Sequence, residues 1–435
     1  MSGKGVRDNR VVTQDSSRQP RSAGLVVAPR FFRDATERPE GLELSFDLVF
    51  VLAIAQVARL VRADPSERTA AIAVLVLLPV WWAWVGITFV DDRFPTDDVL
   101  HRCLVLAAAA AAGVMALALT GFPTRGAPEF AAGYATVRLL LVVLYSRAAR
   151  AVGSAAPQAR AYAIGFAAVA GVWLVSIAVP PPARWALWGL AMAMDIAVPA
   201  VTDRRLGLLP VDTTHLPNRF GAFVILVLGE SVLTTAALTA DLQHPFTRTR
   251  IVVLAEGFLL AAALWWGFFD RGAWQRRYHQ LAGDSSGRLA NIVCAYLHLP
   301  LVAGVVFVAV GVQLSTVHPD VSTALIRAAL TGGIAAYLLA MNFMAFVLHI
   351  PRGQSLIALR LVLIAVLAVV LIAGRVMTVP AFLGACLLIA LAHVAANLHR
   401  HHARIAGRSG GRRAVAAVTD ASAGCLNELT LTKPG

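Results

Sequence analysis

The stretch HLPNRFGAFVILVLGESVL carries Arg219 and Glu230 eleven residues apart. That is three helical turns, so both fall on one face of a helix. Glu230 would lie about 18 Å into a bilayer at 1.5 Å per residue. A carboxylate at that depth costs a few kcal/mol at least and normally faces a bundle interior or a water-filled cavity. Arg138, Asp195, His298 and Glu256 interrupt other apolar runs at comparable depths, about 18, 12, 15 and 21 Å from the inner face. Asn291 precedes His298 by seven residues, which places both on one face of a regular helix. A layer of Arg, Glu, Asp and His around one cavity suits proton relay or coupled transport, because carboxylates and imidazoles can gain and lose protons. The alternative is that the same charges pair only to fix helix order.

A second group opens the first apolar run, ELSFDLVFVLAIAQ. Glu43 and Asp47 are four residues apart and share a face. Asp47 would be about 8 Å inside the boundary. Acids near a helix N-terminus meet the positive end of the macrodipole, so they read as partly wet caps with Arg33 or Arg38 as partners. Read for function, Glu43, Asp47 and Gln56 form a cytoplasmic approach for a cation or proton.

The elements that must hold these residues follow from composition. The chain has 435 residues, 58% hydrophobic and 14% charged, with a mean hydropathy of +0.69. A soluble chain would carry about a quarter charged residues. Apolar runs long enough to cross about 30 Å of hydrocarbon recur along the length, and they are continuous rather than alternating, which excludes a β-barrel. The expected fold is an all-α polytopic integral membrane protein with about twelve transmembrane helices, near 42–62, 70–90, 99–120, 129–150, 159–180, 183–201, 216–239, 248–270, 288–311, 322–348, 356–373 and 376–397. Pro79, Pro199 and Pro300 fall inside these runs, and Pro300 beside His298 marks a broken helix that could line a site. Trp81, Trp82, Trp84, Trp265 and Trp266 read as belt or packing residues.

Residues 1–41 and 398–435 read as disordered cytoplasmic tails, and 202–215 as a cytoplasmic linker between membrane halves 42–201 and 216–397. With the N-terminus inside, 28 Lys and Arg residues fall on inner segments and 8 on outer ones, with Arg138 and Arg327 within helices. That asymmetry predicts a bacterial inner-membrane protein with both termini cytoplasmic. It also accounts for the net charge of +13 without nucleic acid. No small-residue cleavage site follows a short apolar region near the start, so the first helix reads as an uncleaved anchor.

The halves resemble each other. LSFDLVFVLAIAQV (44–57) aligns with NRFGAFVILVLGES (218–231), Trp81 and Trp82 with Trp265 and Trp266, and Arg138 with Arg327, at offsets of 174, 184 and 189. Even-numbered units of this kind predict two six-helix parallel repeats. Cys103, Cys294, Cys386 and Cys425 have no CxxC spacing, so no metal is expected. Haem would need facing axial ligands, and His298 and His393 differ in depth by about 9 Å, so no cofactor is expected. No Walker A, GxGxxG or GxSxG motif stands in the required context, and no catalytic constellation is recognised.

GLELSFDLVFVLAIAQVARL, the Trp pair of the second helix and HLPNRFGAFVILVLGESVL together resemble the bacterial low-temperature-requirement protein A family. Its members read E-L-F-F-D-L-V-F-V-x-A-I-A-Q and E-R-x-G-x-F-x-I-I-x-L-G-E. Glu43, Phe46, Asp47 and Gln56 match the first pattern, and Arg219, Phe223, Gly229 and Glu230 the second. Ser45 and Asn218 depart from it, where many members carry an aromatic and an acid. The resemblance implies a multi-pass inner-membrane protein connected with growth in the cold, without assigning it a reaction. The expectation is a secondary, proton-coupled transporter of a small solute or ion working in the lipid bilayer. The alternative is a structural or regulatory membrane protein.

Overall fold

The computed structural model describes residues 28–29 and 41–400, apart from 97, 214, 244–245, 271–280, 282–286, 321 and 350–353. Most of the two expected tails lies outside the described residues. Twelve described helices are long and apolar enough to cross a membrane. They are α1 (Gly41–Ala63), α2 (Glu67–Arg93), α3 (Val99–Ala118), α4 (Ala127–Ala151), α5 (Ala156–Ala178) and α6 (Ala183–Leu206). Then come α7 (His215–Ala240), α8 (Arg248–Phe269), α9 (Arg288–Val317), α10 (Ala324–Val347), α11 (Gln354–Ala373) and α12 (Val379–Arg400). No strand occurs among the described residues. The protein is a multi-pass, all-helical membrane protein.

Local chemistry sets many helix starts. Ser66, Asp98, Thr247 and Thr323 each accept from the backbone N–H three residues on, capping α2, α3, α8 and α10. Prolines in the first turn open α4 and α5, where a missing N–H costs nothing. Gly207, at φ 87°, ends α6.

Several helices outrun their predicted ends. α2 continues to Arg93 rather than 90, α6 to Leu206 rather than 201, α9 to Val317 rather than 311, and α12 to Arg400 rather than 397. The expected linker therefore loses residues 202–206 to α6. Polar residues looked like loop in the sequence, but Asp91, Asp92 and Arg93 are buried and partnered within the bundle. Arg327 is not the counterpart of Arg138 in depth. It lies in the first turn of α10 and donates to the carbonyl of Ser322, whereas Arg138 lies mid-way along α4.

α9 packs on α1, α7, α8 and α10. Its crossing with α10 is set by glycine. A Cβ on Gly304 would stand 2.5 Å from the Gly333 carbonyl oxygen, so any larger residue would push the backbones apart. Near its start α9 changes form. Arg288–Asn291 is α-helical, Ile292–Leu297 is a π turn, and His298–Val317 is α-helical again. Pro300 has no N–H to offer the preceding turn, which favours this local change of register. Trp81 in α2 donates its indole N–H to the Ala295 carbonyl at 2.8 Å, and His298 Nδ1 donates to Val293 O at 2.8 Å. Carbonyls in the irregular turn are thereby satisfied inside the protein, as an apolar surround requires.

Candidate functional site

The last turn of α2 reads Asp91-Asp92-Arg93, and the three side chains leave it in different directions. Asp91 accepts from Arg219 Nη1 at 2.9 Å and lies 2.9 Å from His101 Nε2. Asp92 lies 3.1 Å from His215 Nδ1 and accepts from the Asp212 backbone N–H at 2.9 Å. The other nitrogen of His215 is 3.3 Å from Glu43. Arg219 reaches from α7 to both neighbouring helices, because its Nη2 also donates to Asp47 at 3.3 Å. Trp84 donates to the same Asp47 oxygen at 2.7 Å. At the start of α3, Asp98 caps His101 at 2.6 Å and accepts from Arg147 of α4 at 2.6 Å.

These contacts join α1, α2, α3, α4 and α7 at one end of the bundle. Asp47 and Asp98 have no exposure, and Asp92 has 2%. Buried charges persist only when paired and hydrogen-bonded. Here carboxylates alternate with Arg and His, and His215 stands with a carboxylate against each ring nitrogen. Such an arrangement can accept, hold and pass a proton without moving a helix. Aromatic rings close it from the membrane interior: Trp84 stacks on Phe223 at 4.1 Å and meets Phe220 at 4.7 Å.

Arg93 turns the other way, into a pocket of about 410 Å³ between α2, α4, α5, α6 and the start of α9. It is 3% exposed. Its guanidinium donates to the Tyr145 hydroxyl at 3.2 Å and to Asn291 Oδ1 at 3.4 Å, and it lies over Phe89 and Tyr162. Arg138 forms part of the same wall. Its Nε is 2.7 Å from Asp195 of α6, with neither side chain exposed. Tyr134 donates to Asp195 and accepts from Arg138. The π turn contributes Ala295 and Tyr296 to the pocket. π turns recur at functional sites because they re-aim side chains.

The predicted residues therefore occupy several places rather than one layer. Glu43, Asp47 and Arg219 belong to the charge network. Arg138 and Asn291 line the pocket, with Asp195 behind Arg138. Glu230 is half-buried and accepts from Thr234 at 2.6 Å, in a small cleft with Gln313. Arg62, which donates to Gln313, is its nearby cation. Arg219 is thus partnered by Asp47 and Asp91, not by Glu230; one face of α7 holds both residues, but three turns separate them. Gln56 accepts from Arg59 at 3.4 Å and has no part in the network. Glu256 faces Gly384 of α12. His298 and Asn291 do not share a face, because the π turn shifts the register between them. His298 packs against Phe220 and Phe268 at 5.2 and 5.8 Å, while Asn291 meets Arg93.

One further expectation is corrected. Asp47 is not a wet cap, since Trp84 and Arg219 enclose it. Arg33 and Arg38 lie outside the described residues. Gly229 admits no close neighbour, as a Cβ there would meet nothing within 4 Å. Sequence reasoning did not single out Asp91, Asp92, Arg93, Asp98 and His215, which fell between its expected helices, or His101, which fell within the third. The available signal was an Asp-Asp-Arg run continuing an apolar helix without a breaker, followed by an Asp three residues before a His.

A profile described as "Bacterial low temperature requirement A protein (LtrA)" matches residues 40–396. The match spans the whole network and the pocket. The chain is also similar to "Uncharacterized protein RA0937" of Rhizobium meliloti (strain 1021), with 30% identity over 292 residues, covering 64% of this chain and 69% of the relative. The motifs that open α1 and α7, the twelve spans and the profile match agree, and the chain belongs to the bacterial low temperature requirement A protein family.

Proposed function

We propose that this protein is a secondary transporter of a small solute or ion, coupled to protons, with the pocket beside Arg93 as its substrate site. The observation that carries this reading is the last turn of α2. Asp91 and Asp92 belong to a network containing two histidines, and the adjoining Arg93 lines a cavity large enough for a small molecule. A change in protonation of the network would act on the same helical turn that presents Arg93. Carboxylates and imidazoles inside a membrane bundle mark ion and proton pathways by default.

In this reading both termini are cytoplasmic and the network faces the cytoplasm of a bacterial inner membrane, following the distribution of Lys and Arg. The two six-helix halves descend from a duplication and rock against each other in alternating access. Support comes from a repeated contact. Gly86 of α2 lies against Arg138 of α4, which pairs with Asp195 of α6, and Gly267 of α8 lies against Tyr337 of α10 and His393 of α12. Activity is transport rather than catalysis.

A second reading has a specific observation in its favour. Arg138 and Asp195 form a one-to-one buried pair of the kind that fixes helix order. A structural or regulatory protein would need no more. Flux into proteoliposomes, with and without a pH gradient, separates the two. Transport predicts solute uptake that rises with the gradient, loses the gradient dependence in Asp91→Asn, and falls in Arg93→Gln. Absence of uptake across organic anions, cations, sugars and amino acids would leave the structural reading.

A further inference from the structure

We propose that the pocket binds an organic carboxylate with a flat apolar body. The inference rests on the assignment of this pocket as the substrate site, and it names the class of molecule.

The argument begins with Arg93. Its guanidinium is buried, and its hydrogen bonds among the described residues include none to a carboxylate; Asp203 acts on it across the pocket, with the Tyr162 hydroxyl bound to that acid. Its hydrogen-bond partners are neutral oxygens of Tyr145 and Asn291. Its Nε, buried as well, has no hydrogen-bond partner. A cation withdrawn from water without a directly hydrogen-bonded anion is costly, and Asp203 offsets only part of that cost from a distance. The surrounding rings recover part of that cost through cation–π contacts at 5.2 and 5.4 Å. The remainder is available to an anionic ligand, since a guanidinium fork matches a carboxylate.

Arg138 supplies a second donor. Its Nη1 has no hydrogen-bond partner and points along the pocket wall at Gly86, where a Cβ would stand 2.6 Å away. Arg93 lies over Tyr162 and Arg138 over Phe166, one turn apart on α5. Both guanidinium groups therefore lie on the wall of the same cavity. Asp203 is the acid on the wall, and the Tyr162 hydroxyl donates to it at 3.0 Å. Exposed Arg204 stands next to it at the mouth. Positive charge prevails from mouth to interior. Between the cations the surface is aromatic, including the stacked pair Tyr145 and Tyr162 at 4.9 Å and 8°. Ring faces and edges of this kind accept a flat apolar body. Sugars would find few hydrogen-bond partners here, and an inorganic ion would leave most of the 410 Å³ unfilled.

The experiment is calorimetric titration of the full-length protein in detergent with 2-naphthoate, 2-naphthamide and 2-naphthylmethylammonium. Quenching of Trp82, which lines the cavity, gives an independent readout. The expected result is saturable binding of naphthoate, roughly tenfold or more tighter than the amide, with no saturable binding of the ammonium ion. Arg93→Gln weakens naphthoate roughly tenfold and leaves the amide unchanged, and Arg93→Lys falls between. Gly86→Ala, whose methyl displaces Arg138 Nη1, provides a second variant if Arg93→Gln does not fold. Equal affinity for the amide, binding of the ammonium ion, no naphthoate binding, or undiminished binding in both variants overturns the proposal. Carboxylate binding without flux would remove the transport reading and leave this one. Flux of a cation or neutral solute without carboxylate binding would do the reverse.

Discussion

Asp92 and Arg93 are neighbours in the chain but serve different surroundings: Asp92 meets His215 at 3.1 Å within the charge network, while Arg93 meets Tyr145 at 3.2 Å on the pocket wall. Adjacent helical side chains diverge by about 100°. One turn of helix can therefore belong to two sites and link them through a rigid backbone. Loss of charge at either residue should be felt at the other.

Arg219 is the residue on which the network depends for positive charge between α1 and α2. Arg219→Gln would leave Asp47 and Asp91 together without their shared cation. Removing one member of a buried pair costs roughly 3–5 kcal/mol. Thermal unfolding in detergent should show that loss. Adding Asp91→Asn to Arg219→Gln should restore part of the stability, and additive destabilisation in the double variant would contradict the coupling.

Trp84 and Trp266 look alike in sequence, but their positions differ. Trp84 is fully buried and donates to Asp47, whereas Trp266 is 47% exposed. Trp84→Phe leaves a buried carboxylate oxygen short of a donor and should cost about 1–3 kcal/mol. Trp266→Phe should stay within about 0.5 kcal/mol. Parallel melting curves for the two variants check the contrast.

Two glycine substitutions separate close packing from open space. In Gly86→Ala the new methyl would stand 2.6 Å from Arg138 Nη1 and 2.7 Å from Leu141 Cδ1. Overpacking of this kind costs about 1–3 kcal/mol. In Gly229→Ala nothing lies within 4 Å, so the better helix propensity of alanine should leave stability equal or raise it by up to about 1 kcal/mol. Equal melting temperatures would count against the packing at Gly86.

Tyr134 bridges the two members of the deepest ion pair. Tyr134→Phe removes the hydroxyl that donates to Asp195 and accepts from Arg138. With both charges still buried, the expected loss is about 1–3 kcal/mol. Asp195→Asn should cost more, because it leaves Arg138 without a counter-charge. The order of the two melting temperatures tests whether the hydroxyl assists the pair or merely stands beside it.

The sequence alone determined the membrane setting, the number of spans and the family, because hydropathy over some twenty residues and short motifs are properties of contiguous chain. It also singled out Arg138 and Asp195 as charges too deep to be accidental. Their pairing was settled only by tertiary structure, since which helix faces which depends on packing between distant segments. The same limit explains Arg219: periodicity placed it on a face with Glu230, but the carboxylates within its reach belong to α1 and α2. Helix ends were the weakest part of the sequence reading. Asp91, Asp92 and Arg93 resemble a wet loop until His101, His215 and Arg219 are brought around them from other helices. Asn291 and His298 parted because a single π turn changes the register, a feature that simple helical spacing does not contain. Burial decided the rest: a charge in a short loop and a charge in a network have the same letters, and only the neighbours supplied by the fold distinguish them.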